Sequence, residues 1–339
     1  MADAQPLWPP PERSQFRKSL LAWYRGHARD LPWRANRDPY RIWLSEIMLQ
    51  QTRVAAVIEH YQEFLQRFPT VEKLAAARES TVLAAWSGLG YYRRARMLRA
   101  AAKVIVRDFA GRFPATEQEL RALPGIGRYT AAAVASIAFD QPVALVDGNV
   151  ERVLQRLSGK QLTGEELWKV ANHMLDAKHP GDFNQAMMEL GATVCTPRAP
   201  VCWTCPVIEL CSTRGELQSD TKPKPQQKRE THYALAHRSG NGRGREVFLV
   251  QRAPDASLMP GMWELPEICG ANNIGQLLTL RHSITVTDYT VKVWRAAAPS
   301  CAHGKWIPLH RLGNVAITGL AKKILRRAEM LLDDKMTNN

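Results

Sequence analysis

The stretch Leu123-Pro-Gly-Ile-Gly-Arg-Tyr-Thr130 lies between a helical segment and a predicted helix over 129–138. Gly125 and Gly127 allow a tight turn and a close approach of the backbone to a ligand, because neither carries a Cβ atom. The following helix presents free N–H groups and the positive end of its dipole to this turn, which favours an anion. The stretch therefore predicts a helix-hairpin-helix over about residues 118–138 that binds a phosphate group. A turn without function is the alternative.

The charge of the chain favours a polyanionic partner. Its 46 Lys and Arg residues outnumber its 32 Asp and Glu residues, which gives a net charge of +14. So large a basic excess indicates nucleic acid more often than any other partner. Five basic side chains also recur every three or four positions along a predicted helix: Arg93, Arg96, Arg99, Lys103 and Arg107. This stripe is either a DNA-binding face or an ordinary solvated face.

Length and composition exclude several classes of protein. A chain of 339 residues predicts roughly two domains. The longest apolar run, over 131–139, is too short to span a bilayer, and the N-terminus lacks the pattern of a secretory signal. Six cysteines are too few for a disulfide scaffold in a chain of this length.

The chain divides into two regions of different character. Residues 1–213 have apolar residues at helical spacing, whereas 214–230 are charged and proline-containing and predict a solvated linker. Residues 231–339 predict a smaller α+β domain. Its expected strands begin near Tyr233, Glu246 and Tyr289, and its last helix is expected over 319–333.

Four cysteines are concentrated in one short segment, and they are Cys195, Cys202, Cys205 and Cys211. Structural zinc sites usually pair two short Cys-x2–4-Cys hairpins, and only one such hairpin is present here. Four thiolates in one compact loop suit a [4Fe–4S] cluster with one cysteine for each iron. The spacing favours this cluster, with zinc and free thiols as the alternatives. Cys269 and Cys301 stand alone and are expected to be ordinary residues.

Two carboxylates stand in positions that suit acid–base chemistry. Glu46 falls on a mostly apolar helical stripe, so burial should raise its pKa and make it a general acid near neutral pH. A snorkelling or hydrogen-bonded glutamate is the alternative. Asp147 directly precedes a predicted helix, where it either caps that helix or supplies a negative charge beside a developing sugar cation.

Five motifs together resemble the adenine DNA glycosylase (MutY) family. They are WLSEIMLQQT over 43–52, LPGIGRYTAAA over 123–133, VDGNVERVL over 146–154, FNQAMMELGATVC over 183–195 and the cysteine loop over 195–211. Residues 247–252 and 261–266 are similar to the Nudix-like C-terminal domain of that family. The resemblance implies a multidomain fold, with a mainly α helix-hairpin-helix glycosylase domain carrying a [4Fe–4S] loop and a smaller α+β Nudix-like domain.

The resemblance also implies a reaction and a partner. The partner is double-stranded DNA with adenine opposite 8-oxoguanine or guanine, and the reaction is monofunctional removal of that adenine in base excision repair. The adenine is first flipped out of the helix, at a cost on the order of a few kcal/mol. We further expect a monomer in the cytoplasm, associated with the nucleoid of a bacterial-type cell.

Site residues are carried over from the motifs position by position. Glu46 is expected to protonate the adenine at N7, and Asp147 to stabilise the oxocarbenium ion or form a transient bond to its C1′ atom, while Tyr129 and Asn149 support Asp147. The residues expected around the extruded base are Trp33, Arg34 and Gln185. Those expected to insert into the base stack are Gln51 and Tyr91, and further contacts to substrate or DNA are expected from Leu49, Thr52, Gly125 and Gly127.

Three rival functions are tested against the residues. An endonuclease III-like glycosylase/lyase needs a Schiff-base lysine after the hairpin, but that position is Tyr129. A catalytically inactive DNA-binding protein has no need of both Glu46 and Asp147. A Nudix pyrophosphatase needs a longer series of metal-binding glutamates, and no acidic residue lies between Glu267 and Asp288.

One segment departs from the family pattern. The family often has Phe-Ser-His where the C-terminal domain contacts 8-oxoguanine, whereas this chain has Ile284, Thr285 and Val286. The hydroxyl is retained and the aromatic ring and imidazole are lost. We therefore expect Thr285 to contact the lesion, with recognition that is weaker or arranged differently.

Overall fold

The computed structural model describes residues 8–217, 226–240, 244–268, 275–284, 287–299 and 304–330. The predicted helical region is helical: eleven α-helices precede the cysteine loop in the described residues. They are α1 (Pro10–His27), α2 (Pro39–Leu49), α3 (Val54–Arg67), α4 (Val71–Ala76), α5 (Glu79–Ala85), α6 (Arg93–Phe109), α7 (Glu117–Arg121), α8 (Arg128–Phe139), α9 (Gly148–Ser158), α10 (Gly164–Met174) and α11 (Pro180–Thr193).

The C-terminal region is a smaller α+β unit, as predicted. Its elements are β1 (Gln227–Leu235), β2 (His237–Ser239), β3 (Arg245–Gln251), β4 (Trp263–Glu264), β5 (Gln276–Ile284), β6 (Thr287–Arg295), β7 (Gly304–Pro308) and α12 (Gly319–Arg327). One sheet has the order β1-β6-β5, with β1 parallel and β5 antiparallel to β6. The other has the order β2-β3-β4, and β7 pairs with β3. Both sheets and α12 contribute to one apolar core.

By its internal contacts the chain divides into two compact units. Among the described residues, the first unit holds 8–62, 68–75 and 100–217. The second holds 63–67, 76–99 and the described residues from 226 onward. The second unit therefore joins α5 and the start of α6 to the C-terminal sheets.

Helix α2 begins with a capping aspartate followed by a proline. The carboxylate of Asp38 accepts hydrogen bonds from the backbone N–H groups of Tyr40 and Arg41, and Pro39 occupies the first helical position. In the next turns of α2, Tyr40 and every residue from Ile42 to Met48 are buried, which places Glu46 inside the first unit.

The predicted helix-hairpin-helix is present and consists of α7, α8 and the turn between them. Thr116 and Glu119 form a capping box that starts α7. Gly125 has a φ of +74°, and Gly127 is the N-cap of α8 with a φ of −86°. Of these two glycines, only Gly125 therefore has the left-handed conformation that favours glycine.

Part of the basic stripe on α6 is engaged within the protein, whereas its other three basic side chains are exposed. Arg96 binds the carboxylate of Glu79 at 2.8 Å and the carbonyl oxygen of Pro260 at 2.5 Å. Arg99 donates to the carbonyl oxygen of Ala77 at 2.6 Å. Both side chains are half-buried. The helical spacing of the charges did not indicate that these two side chains have partners within the protein.

Two element boundaries differ from the prediction. Helix α12 ends at Arg327 rather than 333, because Glu329 has a φ of +55° and Met330 N–H bonds back to the carbonyl of Leu325. Leu331 and the residues after it lie outside the described part. Strand β1 begins at Gln227, within the stretch predicted as linker, with its first four residues exposed. No helix in the described part is both long and apolar enough to cross a membrane.

We expect Gly125→Ala to destabilise the protein more than Gly127→Ala, which has only the smaller cost of a less favourable N-cap residue. A Cβ atom at a left-handed position costs roughly 1–2 kcal/mol, whereas nothing lies within 4 Å of a Cβ built at Gly127. Thermal unfolding of the two variants checks this, with the larger fall in Tm expected for Gly125→Ala. An equal change in both would contradict the conformational argument.

Candidate active site

An open cleft in the first unit brings together most of the predicted site residues. It encloses about 1670 Å³ of empty space, part of it open to solvent, between α2, the hairpin, the start of α9 and α11. The predicted residues that line it are Trp33, Arg34, Glu46, Leu49, Gln51, Thr52, Gly127, Tyr129, Asp147, Asn149 and Gln185.

The Glu46 carboxyl group is buried at one wall of this cleft. The residue is 5% exposed, and burial raises its pKa to about 7. The hydrogen bond from Tyr129 lowers this pKa, the negative charge of Asp147 raises it, and Arg34 lowers it. Burial is the largest of these effects. The raised pKa predicted from the apolar helical stripe is thus present, so the group carries a proton for much of the time at neutral pH.

Tyr129 binds Glu46 rather than Asp147, the carboxylate that it was expected to support. Its hydroxyl group donates to Oε2 of Glu46 at 2.5 Å, whereas the resemblance assigns it to Asp147. Burial, together with the nearby carboxylates, raises the pKa of Tyr129 well above its ordinary value. The hydroxyl group therefore stays protonated and remains a donor. The Sδ atom of Met188, a residue that sequence reasoning missed, lies 3.5 Å from it.

Asp147 is both a helix cap and a wall of the cleft. Its Oδ1 accepts the backbone N–H groups of Asn149 at 2.9 Å and Val150 at 2.8 Å. Its Oδ2 accepts the side-chain amide of Asn149 at 2.9 Å. The two readings of the sequence are therefore compatible, because capping α9 fixes the carboxylate while it faces the cleft.

An ion cluster of Arg29, Arg34 and Glu189 also lines the cleft, and of these three only Arg34 was predicted as a site residue. Glu189 has no exposed side-chain surface and binds Arg29 at 2.7 Å and Arg34 at 2.8 Å. Burial acts to raise the pKa of Glu189, but the hydrogen bonds from the two arginines outweigh it and the pKa is lowered. Glu189 follows Gln185 by four positions on α11, a helical spacing that could have indicated a shared face.

Two arginines connect the Asp147 region to the cysteine loop. Arg152 donates to the side-chain oxygen of Asn149 at 2.8 Å and to the carbonyl oxygen of Cys195 at 2.8 Å. Arg156 is 5% exposed and approaches Sγ of Cys195 at 3.4 Å. Asn149, which binds Asp147, is therefore itself connected through Arg152 to Cys195 at the start of the cysteine loop.

The four clustered cysteines line one site that encloses about 370 Å³ of empty space, part of it open to solvent. Its other walls are mostly apolar, with side chains such as Val153, Leu157 and Leu190. The backbone N–H of Arg214 lies 3.3 Å from Sγ of Cys211. Among the described residues, no three His, Cys, Asp or Glu side chains are grouped closely enough to hold a single metal ion.

The remaining predicted residues lie elsewhere. Gly125 shapes the hairpin turn and is not a lining residue of the cleft. Tyr91 belongs to the second unit, where its ring is 46% exposed. Tyr91 and Gln51 both have left-handed backbones, with φ of 46° and 55°. Thr285 lies outside the described residues.

Comparison with known proteins defines the class. Residues 44–171 match the HhH-GPD superfamily of base excision DNA repair proteins. A solved structure of a thermostable thymine-DNA glycosylase is similar, with a TM-score of 0.57 and 33% identity, covering 60% of this chain and 97% of that one. The fold and the cleft therefore define a helix-hairpin-helix base excision repair protein.

Two curated relatives specify the family. The adenine DNA glycosylase of Mus musculus is 34% identical over 93% of this chain and 78% of its own length. That of Rattus norvegicus is 39% identical over 88% of this chain and 67% of its own length. The chain belongs to the adenine DNA glycosylase family.

We expect the Glu46 carboxyl group to titrate near pH 7, and its two neighbours to shift that titration in opposite directions. Tyr129→Phe removes a hydrogen bond that favours the carboxylate, so the pKa should rise. Asp147→Asn removes a repelling charge, so the pKa should fall. Infrared difference spectra of the carboxyl band, assigned by its loss in Glu46→Gln, measure both shifts. Shifts in the same direction would contradict this account.

Proposed function

We propose that this protein removes adenine mispaired with 8-oxoguanine or guanine from double-stranded DNA, by hydrolysis and without strand cleavage. The observation that carries the proposal is the pair of carboxyl groups in one cleft, of which one is buried with a raised pKa and the other is held by backbone N–H groups. Two such carboxyl groups in different environments suit the cleavage of a glycosidic bond.

Glu46 acts as the general acid in this proposal. With a pKa of about 7 it holds a proton that it can pass to a ring nitrogen of the extruded adenine. Protonation makes the base a better leaving group. The hydroxyl group of Tyr129 on Oε2 fixes the orientation of the carboxyl group. Because the protonated form is required, the excision rate should fall as the pH rises through about 7.

Asp147 supplies negative charge on the sugar side. As the bond to the base breaks, positive charge develops at the sugar carbon, and a fixed carboxylate nearby lowers the energy of that state. The hydrogen bonds from Asn149 and Val150 hold the carboxylate in place without a change of conformation. Arg152 in turn fixes the amide of Asn149.

The cleft supports a monofunctional reaction. A lyase needs an amine for a Schiff base, and none of the described residues lining the cleft is a lysine. Tyr129 occupies the position at which endonuclease III-like enzymes carry that lysine. Its hydroxyl group donates a hydrogen bond to Glu46.

The four cysteines are proposed to hold a [4Fe–4S] cluster. All four thiols line one cavity with mostly apolar walls, and N–H donors from Arg156 and Arg214 point at two of the sulfurs. Hydrogen bonds to cysteine sulfurs are typical of such clusters. When bound, the cluster would tie residues 195–211 into one rigid loop beside Arg152 and Arg156.

Three finer expectations from the sequence are kept as proposals. The first is that the helical domain ends near residue 213 and the lesion-recognition domain begins near 231. The second is recognition of 8-oxoguanine by a segment that includes Thr285. The third is that the enzyme acts as a monomer on nucleoid DNA. Sizing chromatography with and without duplex would test the monomer.

We expect single-turnover assays to show loss of adenine from 8-oxoguanine:A and G:A duplexes, with strand breaks only after alkali. Glu46→Gln and Asp147→Asn should each slow excision by at least about a hundredfold, because both groups act in the transition state. Duplex affinity should stay nearly unchanged. Glu59→Gln, at an exposed position on α3, is the matched control and should keep the wild-type rate.

The same assay separates the rival function. A thymine glycol duplex should remain intact, and borohydride should not trap the enzyme on DNA. Efficient trapping, or excision of thymine glycol in preference to adenine, would reject the proposed function in favour of a glycosylase/lyase.

We expect purified protein to be yellow-brown, with broad absorption near about 400 nm and about four irons per chain. Cys202→Ser should lower the iron content, whereas Cys301→Ser should leave it unchanged, since Cys301 lies outside the clustered segment. Metal analysis measures both. Stoichiometric zinc without iron would refute the cluster.

A further inference from the structure

The turn over 87–92, between α5 and α6, has a costly backbone conformation. Gly88 and Gly90 have φ of 110° and 68°, and Tyr91 follows with a φ of 46°. A left-handed backbone is unfavourable for a residue with a bulky side chain and persists only where its surroundings hold it. The ring that this turn carries is nevertheless 46% exposed. Contacts made by other residues of the turn must therefore maintain its backbone conformation.

One set of contacts comes from within the turn and its flanking helices. Trp86 is fully buried, and its Nε1–H donates to the carbonyl oxygen of Gly90 at 3.1 Å. Arg94 donates to the carbonyl oxygens of Leu89 at 3.1 Å and Gly90 at 3.3 Å. Its guanidinium carbon lies 5.4 Å from the ring centroids of both Trp86 and Tyr91. The exposed ring thus rests against a half-buried cation.

A second set comes from the C-terminal part of the same compact unit. The carbonyl oxygen of Ile317 accepts hydrogen bonds from the hydroxyl groups of Ser87 at 2.8 Å and Tyr92 at 3.2 Å. Both donors are buried, with exposures of 6% and 3%. Lys322, on α12, donates to the carbonyl oxygen of Ser87 at 3.2 Å. The two ends of the turn are therefore bound to one carbonyl group.

The Ile317 carbonyl is itself a fixed point. Trp263 N–H donates to the carbonyl of Ala316 at 2.8 Å, and Thr318 N–H donates to the carbonyl of Trp263 at 2.9 Å. Thr318 also caps α12 through its side chain. The residues on either side of Ile317 are thus bound to β4 and to the start of α12, so the acceptor cannot follow a movement of the turn.

We propose that the C-terminal region positions Tyr91, through the hydrogen bonds that Ser87 and Tyr92 donate to the carbonyl of Ile317. Ser87 and Tyr92 are positioning residues in this inference, which rests on the proposed function because it takes Tyr91 as the residue that inserts into the base stack. The C-terminal region then contributes to extrusion of the adenine in addition to any contact with the lesion.

A double-mutant cycle tests the functional half. The pair Ser87→Ala with Tyr92→Phe should slow the unstacking of a 2-aminopurine placed beside the target adenine by about threefold to tenfold. In a Tyr91→Ala background the same pair should cause no further loss, because it acts only through that ring. Asn314→Ala is the matched control, since it removes a 2.9 Å contact to Arg67 within the same unit, away from the turn. Equal losses in both backgrounds would overturn the inference.

Hydrogen exchange without DNA tests the structural half. Deuterium uptake by a peptide covering 86–94 should rise in the Ser87→Ala, Tyr92→Phe protein and stay at the wild-type level in Asn314→Ala. Unchanged uptake in the pair would overturn the inference. If the wild type unstacks DNA but does not excise adenine, the proposed function fails and the positioning stands. If it excises adenine and Tyr91→Ala has no effect on unstacking, the positioning fails and the proposed function stands.

Discussion

The hydrogen bond from Tyr129 to a buried Glu46 is the interaction on which the site depends. Burial alone favours the protonated carboxyl group, and the phenol hydroxyl restores part of the stability of the ionised form. The two effects together leave the pKa near 7, where a carboxyl group can both hold and release a proton. Two helices that are far apart in sequence must meet for this pair to form, so α2 and α8 set the chemistry by their packing.

The second carboxylate depends on a different kind of support. Asp147 is held by the start of α9, and the amide of Asn149 completes its hydrogen bonds. Arg152 and Arg156 then link α9 to residues of the cysteine loop. Fixed dipoles that need no rearrangement stabilise a developing charge most effectively. The cysteine loop is therefore connected through Arg152 and Asn149 to the Asp147 carboxylate.

The second compact unit includes part of the helical region. Helix α5 and the start of α6 belong with the C-terminal sheets, because Ser87, Tyr92 and Arg96 bind carbonyl groups from that region. Arg96 of the basic stripe and the hydroxyl groups of Ser87 and Tyr92 are thus engaged inside the protein. Tyr91, which lies between Ser87 and Tyr92 in the chain, is 46% exposed.

The sequence by itself determined the features that depend on a few neighbouring residues. The hairpin with its glycines, the Asp38 cap, the helical region, the strands near Tyr233, Glu246 and Tyr289, and the apolar surroundings of Glu46 were all predictable. Local backbone sterics and side-chain spacing decide such features.

Only the tertiary structure decided which polar groups meet. Arg29 and Glu189 are 160 positions apart, and the partner of Tyr129 is 83 positions away. The hydrogen-bond partners of Arg96 and Arg99 were likewise not predictable from the sequence. No local pattern encodes these pairs, because a buried charge or hydroxyl group takes whichever partner the packing of distant helices brings within reach.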